Sequence, residues 1–165
     1  MAGIGNSKDI LGSNNAEARQ KIVDLLTTAY WMEIETVMNY VQASVNLDGI
    51  RAEEISEALK EDIQEELGHA QQFAQRIKDL YGTVPGSAEF SAEQRALQPP
   101  EKSTDVVHVI KGVMEAEEGG IQHYNRIIEA TDGIDWVTQD MVIAILADEQ
   151  NHYRMFESFL KEYEQ

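Results

Sequence analysis

The sequence predicts an all-α protein, an antiparallel four-helix bundle with one long crossover between the second and third helices. Three observations lead there. Apolar residues recur at the i, i+3, i+4 spacing of a helix over four long stretches. All three prolines fall between Pro85 and Pro100, so the stretches on either side are free of helix breakers. Asp48-Gly49 and Asp132-Gly133 mark tight turns, whereas about 20 residues separate the second stretch from the third.

Residues 1–13 are rich in Gly, Ser and Asn and read as a flexible tail, with the bundle occupying 14–165. Asn14 with Glu17 three residues later forms a capping box for the first helix, which runs to about Asn46. The second helix spans about Ala52 to Tyr81 and is closed by Gly82. Residues 83–102 contain Pro85-Gly86 and Pro99-Pro100 and read as an irregular connection, with a turn of helix at Ala92–Ala96. Ser103, Thr104 or Asp105 caps the third helix, which ends before Asp132-Gly133. Asp135 caps the fourth, which continues almost to the C-terminus. Helices of roughly 30 residues are about 45 Å long, and the crossover can traverse that length.

Composition narrows the partners. At 165 residues the chain has the size of one domain. A formal charge of −17 argues against DNA, RNA or an anionic membrane surface and favours cations. The absence of cysteine removes disulfides, thiolate metal sites and cysteine nucleophiles together. Neither a signal-peptide pattern at Met1–Asp9 nor an apolar run long enough to span a bilayer is present, so a cytoplasmic location is expected.

The chemistry lies in carboxylates on the apolar stripes. In the first helix Leu26, Ala29, Tyr30, Glu33, Val37, Tyr40 and Ala43 or Ser44 share one face, and Glu35 points elsewhere. The second helix carries Ile55, Leu59, Ile63, Glu66, His69 or Ala70, Phe73, Ile77 and Leu80. The third carries Ile110, Val113, Met114, Glu117, Ile121, Tyr124 and Ile128, which selects Glu117 over Glu115 and Glu118. The fourth carries Val142, Ile145, Leu146, Glu149, His152, Tyr153, Phe156 and Leu160. The pattern is a repeat: Glu66-Leu-Gly-His69 and Glu149-Gln-Asn-His152 are Glu-x-x-His motifs. Each follows a lone inward glutamate, Glu33 or Glu117, by 33 or 32 positions, with a tyrosine seven residues after that glutamate.

Mid-helix positions of an antiparallel bundle share one level, so these six side chains converge. Burying an uncompensated carboxylate costs several kcal/mol, and four together would be severely destabilising. Two divalent cations carry the charge that balances four carboxylates, and neutral histidines add none. Carboxylate with imidazole and no sulfur suits iron, with manganese or zinc as substitutes.

On these motifs the chain resembles the ferritin-like di-iron carboxylate superfamily, nearest to bacterioferritin and related ferroxidases, over about residues 15–163. The resemblance implies Glu33 and His69 as terminal ligands of one iron, Glu117 and His152 as those of the other, and Glu66 and Glu149 as bridges. It implies a supporting role for Glu65 and Asp148 in orienting the ligand histidines. Tyr40 and Tyr124 would be hydrogen-bonding neighbours and electron donors, or core residues with satisfied hydroxyls. The implied activity is oxidation of Fe(II) to Fe(III) by O2 or H2O2 for iron storage and detoxification. The implied assembly is a homo-oligomer, a dimer or a larger shell.

Departures from the family shape the expectation. Bacterioferritin's haem methionine is replaced by Leu67, so no haem is expected. Only 13 residues follow His152, too few for the fifth helix of large cage ferritins. The same ligands also suit a non-storage di-metal enzyme, either a rubrerythrin-like peroxidase or a manganese catalase-like protein. His108 and His123 lack the motif and read as surface or packing residues. Gly119-Gly120, inside the third helix, is consistent with a bulge, a close helix approach near the metal or a subunit contact.

Overall fold

The computed structural model describes Gly5 and residues 8–164. Four helices, α1 (Ala16–Asn46), α2 (Ala52–Asp79), α3 (Val106–Thr131) and α4 (Trp136–Leu160), form the bundle, and no strand occurs among the described residues. Short links make α1–α2 and α3–α4 tightly packed hairpins, and α1 also packs on α3. Boundaries fall within a couple of residues of those read from the periodicity.

The helix ends differ in detail from expectation. Asn15, not Asn14, is the N-cap of α1, and its amide donates to the Asp9 carbonyl (2.6 Å). Glu17 then falls in the first turn, where its charge complements the helix dipole without closing a capping box. At the end of α2 the residue with positive φ is Tyr81 (64°), not Gly82. Gly82 N donates to Ile77 O (2.8 Å) and Tyr81 N to Lys78 O (3.0 Å), the two bonds of a Schellman ending. Gly82 is required for space: a Cβ there would lie 2.9 Å from methyls of both Ile77 and Val23. Asp105 and Asp135 cap α3 and α4, accepting from His108 N and Thr138 N at 3.0 Å each.

Within the expected tail, residues 1–4, 6 and 7 lie outside the described residues; of 8–13, Ile10 and Gly12 are buried, Leu11 is half-buried, and Lys8, Asp9 and Ser13 are exposed. Ile10 is buried in the core, and Arg19 Nη1 donates to the carbonyls of Ile10 (2.9 Å) and Gly12 (3.0 Å).

The crossover from Leu80 to Asp105 is irregular, and its one helical turn is at Ser87–Glu89 rather than the expected Ala92–Ala96. It is nevertheless pinned along its length. Trp31 and Phe90 rings stand 5.4 Å apart, Gln94 bonds Thr36 Oγ1 (2.7 Å) and Asn39 Nδ2 (2.9 Å), and Leu97 is buried. At Gly112 the crossover backbone passes so close that a Cβ would lie 2.8 Å from Ala96 O.

The apolar interior is split in two. Leu59, Leu97, Ile110, Val113 and Phe156 fill one end with Tyr40, and Leu26, Phe73, Ile77, Ile127 and Val142 fill the other with Tyr124. Between them lies a polar layer.

Candidate metal centre

That layer is where α1 and α3 each contribute one glutamate and α2 and α4 each contribute Glu-x-x-His. Glu33, Glu66, His69, Glu117, Glu149 and His152 are all 5% exposed or less. The Glu and His of each motif are one turn apart on one face, so both side chains reach the same point. The donor atoms form two overlapping groups, Glu33–Glu66–His69–Glu149 and Glu66–Glu117–Glu149–His152, within which all atoms lie inside 4.8 Å of one another. Glu66 and Glu149 belong to both.

His69 Nδ1 faces inward, 3.1 Å from Glu149 Oε1, 3.5 Å from Glu66 Oε2 and 3.7 Å from Glu33 Oε1. His152 Nδ1 faces Glu66 Oε1 at 2.9 Å and Glu117 Oε1 at 3.8 Å. None of these approaches has hydrogen-bond alignment. Both Glu66 oxygens, Glu117 Oε2, Glu149 Oε1 and both Nδ1 atoms are buried without a hydrogen-bond partner. Such orphaned atoms are rare in proteins and signal an absent partner.

The outward nitrogens are occupied. His69 Nε2 lies 3.1 Å from Asp148 Oδ2, and His152 Nε2 lies 3.2 Å from Glu65 Oε2. A carboxylate only accepts, so Nε2 carries the proton in each ring. In the neutral ring Nδ1 then presents its lone pair to the acid cluster, an arrangement that fits a cation between them.

Each half of the molecule supports the other. Asp148 on α4 holds His69 on α2, and Glu65 on α2 holds His152 on α4. Tyr40 on α1 donates to Glu117 on α3, and Tyr124 on α3 donates to Glu33 on α1. The supporting residues expected from the sequence thus all lie against the six, related by an approximate two-fold exchange of the hairpins.

Without cations, protons balance the buried charge. Burial, with the nearby charges of Glu149 and Glu66, pushes the Glu33 carboxyl well above the ordinary carboxylate range. Burial and Glu149 do the same to Glu117. Burial and Glu66 raise Glu149 to about 8. Glu66 goes the other way: burial opposes its charge, but the close approach of the His152 and His69 rings outweighs it and holds the group well below the usual range. Burial works against charged His152, yet Glu66 and Glu117 raise it to about 10. His69 is raised by Glu66 and Asp148 against the same opposition. Burial and the facing glutamates push both tyrosine hydroxyls upward.

Two buried acids were not anticipated. Asp62, raised to about 6 mainly by burial, lies 3.6 Å from His152 Nε2. Its place one turn before Glu66 was the available signal. Glu35, expected to point elsewhere, is buried against the crossover, accepting from Glu93 N and Gln94 N at 2.8 Å each. No helical periodicity could reveal that contact. His123 is a packing residue: its Nε2 contacts Leu25 O (2.8 Å), and burial lowers its pKa. His108 Nε2 contacts Gln98 O (2.9 Å).

A four-helix bundle with a buried acid–imidazole cluster at mid-length defines the class: an all-α protein whose interior is suited to metal ions. More particularly, the chain belongs to the ferritin-like domain family, whose sequence profile matches residues 23–165. It is 31% identical over 144 residues to the DNA protection during starvation protein of Pyrococcus furiosus, covering 86% of this chain and 77% of that one. Identity to the bacterioferritin of Desulfovibrio desulfuricans is 24% over 149 residues, covering 90% and 79%. The structure of a dodecameric thioferritin, the bacterioferritin-related protein from Bacteroides fragilis, matches with a TM-score of 0.75 at 23% identity, covering 88% and 87%. At that identity the likeness bears on the fold.

Proposed function

We propose that the protein is a di-iron ferroxidase that oxidises Fe(II) to Fe(III) with O2 or H2O2 in iron storage and detoxification. The observation that carries this reading is the sharing of Glu66 and Glu149 between two donor groups, each completed by its own glutamate and histidine. Glu33 and His69 would hold one ion, Glu117 and His152 the other, and Glu66 and Glu149 would be available to both. Iron supplies the redox chemistry: two Fe(II) give one electron each, and O2 with two protons becomes H2O2, or H2O2 with two protons becomes two waters.

The chain supplies position and field. Its four carboxylates are oxygen donors that favour the higher charge of the product. Asp148 and Glu65 fix the ring orientation, and Tyr40 and Tyr124 fix the two terminal carboxylates. Manganese or zinc would occupy the same donors. The solved structure of the D. desulfuricans bacterioferritin, described as having a diiron site, supports iron as the metal.

We infer a homo-oligomeric assembly, a shell in the storage case. The dodecameric relative supports it, as do the exposed apolar residues Met38, Val41 and Val45 along one side of α1. Among the described residues no helix is long and apolar enough to cross a membrane. The Pyrococcus relative's name refers to DNA protection. With a net charge of −17, protection by this chain would come from consuming Fe(II) and peroxide rather than from gripping phosphates. Absence of a DNA mobility shift at low salt is the expected result.

Aerobic addition of Fe(II) tests the reading. The protein should produce Fe(III) absorbance faster than buffer, and Glu66→Ala should abolish the difference. Equal rates for protein and buffer would reject ferroxidase activity. Particle mass separates a storage shell from a dimeric peroxidase or catalase using the same ligands.

A further inference from the structure

Gly119 and Gly120 sit in the middle of α3, just past Glu117, although glycine is the poorest helix former apart from proline. Neither has a positive φ, so backbone freedom is not the reason. Space is. A Cβ on Gly120 would stand 3.4 Å from Glu149 Oε2, and one on Gly119 would meet only the Met32 methyl, at 3.8 Å. The bare backbone therefore leaves room on both the inner and the outer side of this turn.

On the outer side lies a half-open cavity of about 390 Å³ between α1, α3 and the crossover. Met32 and Gly119 both line it, beside Trp31, Leu97 and Ala116. On the inner side stand Glu33, the neighbour of Met32 in α1, and Glu149, against Gly120. Across the α1–α3 seam the Met32 methyl faces Gly119, 3.8 Å from where a Cβ on that glycine would stand. A methionine has three rotatable side-chain bonds and moves at little cost.

We propose that this seam admits the small uncharged oxidant to the metal centre, with Met32 as a movable plug and Gly119 as the residue that sets what passes. The inference rests on the ferroxidase reading and adds its route of access. The polarity of the two sides of the bundle favours it. Hydrated Fe(II) would have to shed water at Met32 and Gly119 with no side-chain oxygen to replace it. On the α2–α4 side, by contrast, partly exposed Glu65 and Asp148 lie against His152 and His69 and offer carboxylates from solvent inward. The cavity walls also carry Glu35, Glu89, Glu93 and Glu115. None of these belongs to a group whose donor atoms converge within 4.8 Å, so they form no ion site of their own among the described residues. Their charge repels small anions and attracts cations to the cavity walls, and only a neutral molecule passes from there to the Met32 thioether with no charge to desolvate.

Two measurements on the full chain test the proposal. Xenon, an uncharged probe of apolar space, should appear in pressurised crystals against Met32 and Gly119, and should be lost in Gly119→Leu. In solution, Gly119→Leu should slow O2-dependent Fe(II) oxidation at least about tenfold with a raised KM for O2. Zn2+ stoichiometry should stay at the parental value. Met32→Ala, which removes the plug, should lower the KM for O2. Xenon absent from the parental seam, or parental oxidation kinetics in Gly119→Leu, would overturn the route. An unmutated protein that binds two metals and oxidises no Fe(II) would overturn the ferroxidase reading and the route with it, and needs no variant to be recognised.

Discussion

Tyr40 of α1 reaches across the bundle and donates its hydroxyl to Glu117 of α3, while both residues are almost fully buried. The bond ties the apolar cluster at one end to the carboxylate that the opposite hairpin supplies. Tyr124 repeats the arrangement in reverse on Glu33. The two carboxylates that each hold only one donor group are thus the two that a tyrosine fixes.

Tyr40→Phe removes this hydroxyl without changing ring packing. A buried carboxylate that loses its donor is left free to rotate, and neighbours that orient ligands are worth about 10–100-fold in metal affinity. Titration calorimetry with Zn2+ or Mn2+ should show one of two binding steps weakened to that extent, the other retained. Unchanged affinity in both steps would remove the tyrosine from the site.

Asp148→Ala frees Nε2 of His69 while leaving all six proposed ligands in place. Asp148 is partly exposed, so the fold should tolerate the change, with melting within a few degrees of the parent. Affinity at the Glu33–His69 end should fall by about 10–100-fold, and Glu65→Ala should do the same at the Glu117–His152 end. A large loss of stability with unaltered affinity would assign these acids a structural role instead.

Stability without metal should fall as pH rises. In the unfolded chain Glu149 loses its proton near the ordinary carboxylate value, whereas in the fold it keeps it to about 8. Between those limits the folded state binds more protons, so this contribution is present in acid and is lost as pH climbs through about 8. His152, raised to about 10, adds stability below its ordinary value that disappears by that pH. Glu33 and Glu117, also raised, act in the same direction. Lowered Glu66 and lowered His123 act oppositely, Glu66 only below the ordinary carboxylate range and His123 only below about 6.5. Chelated protein should therefore melt at progressively lower temperature from pH 6.5 to 9. Metal binding should release protons at pH 7 and reverse the trend. A melting temperature of the chelated protein that rises over that range contradicts the account.

Arg76→Ala should destabilise the fold and leave the metal centre alone. Arg76 Nη2 pairs with Asp135 Oδ1 and its Nε donates to Thr138 Oγ1, each at 2.8 Å. Asp135 is 2% exposed and keeps its bonds from Thr138, so deleting the arginine removes the ion partner of a buried charge, a loss of about 3 kcal/mol. At a few degrees per kcal/mol for a domain of this size, melting should drop by about 10 °C. Zn2+ stoichiometry should not change.

The sequence by itself determined the four helices and the six inward residues, because both follow from local periodicity. A side chain at i, i+3 or i+4 shares a face whatever surrounds it, so Glu117 could be told from Glu115 and Glu118 without coordinates. Charge balance did the rest, since four carboxylates on apolar stripes demand compensation in any fold that buries them. Only the tertiary structure decided what depends on partners distant along the chain. Glu35 is buried because residues 93 and 94 of the crossover bring their backbone N–H groups to it. Tyr81 takes the left-handed position because Gly82 is needed for its missing Cβ beside Val23 of α1. The pairing of Asp148 with His69 and of Tyr40 with Glu117 likewise joins opposite hairpins. Such contacts are set by how the hairpins dock, and docking is a property of summed surfaces that no single stretch of sequence encodes.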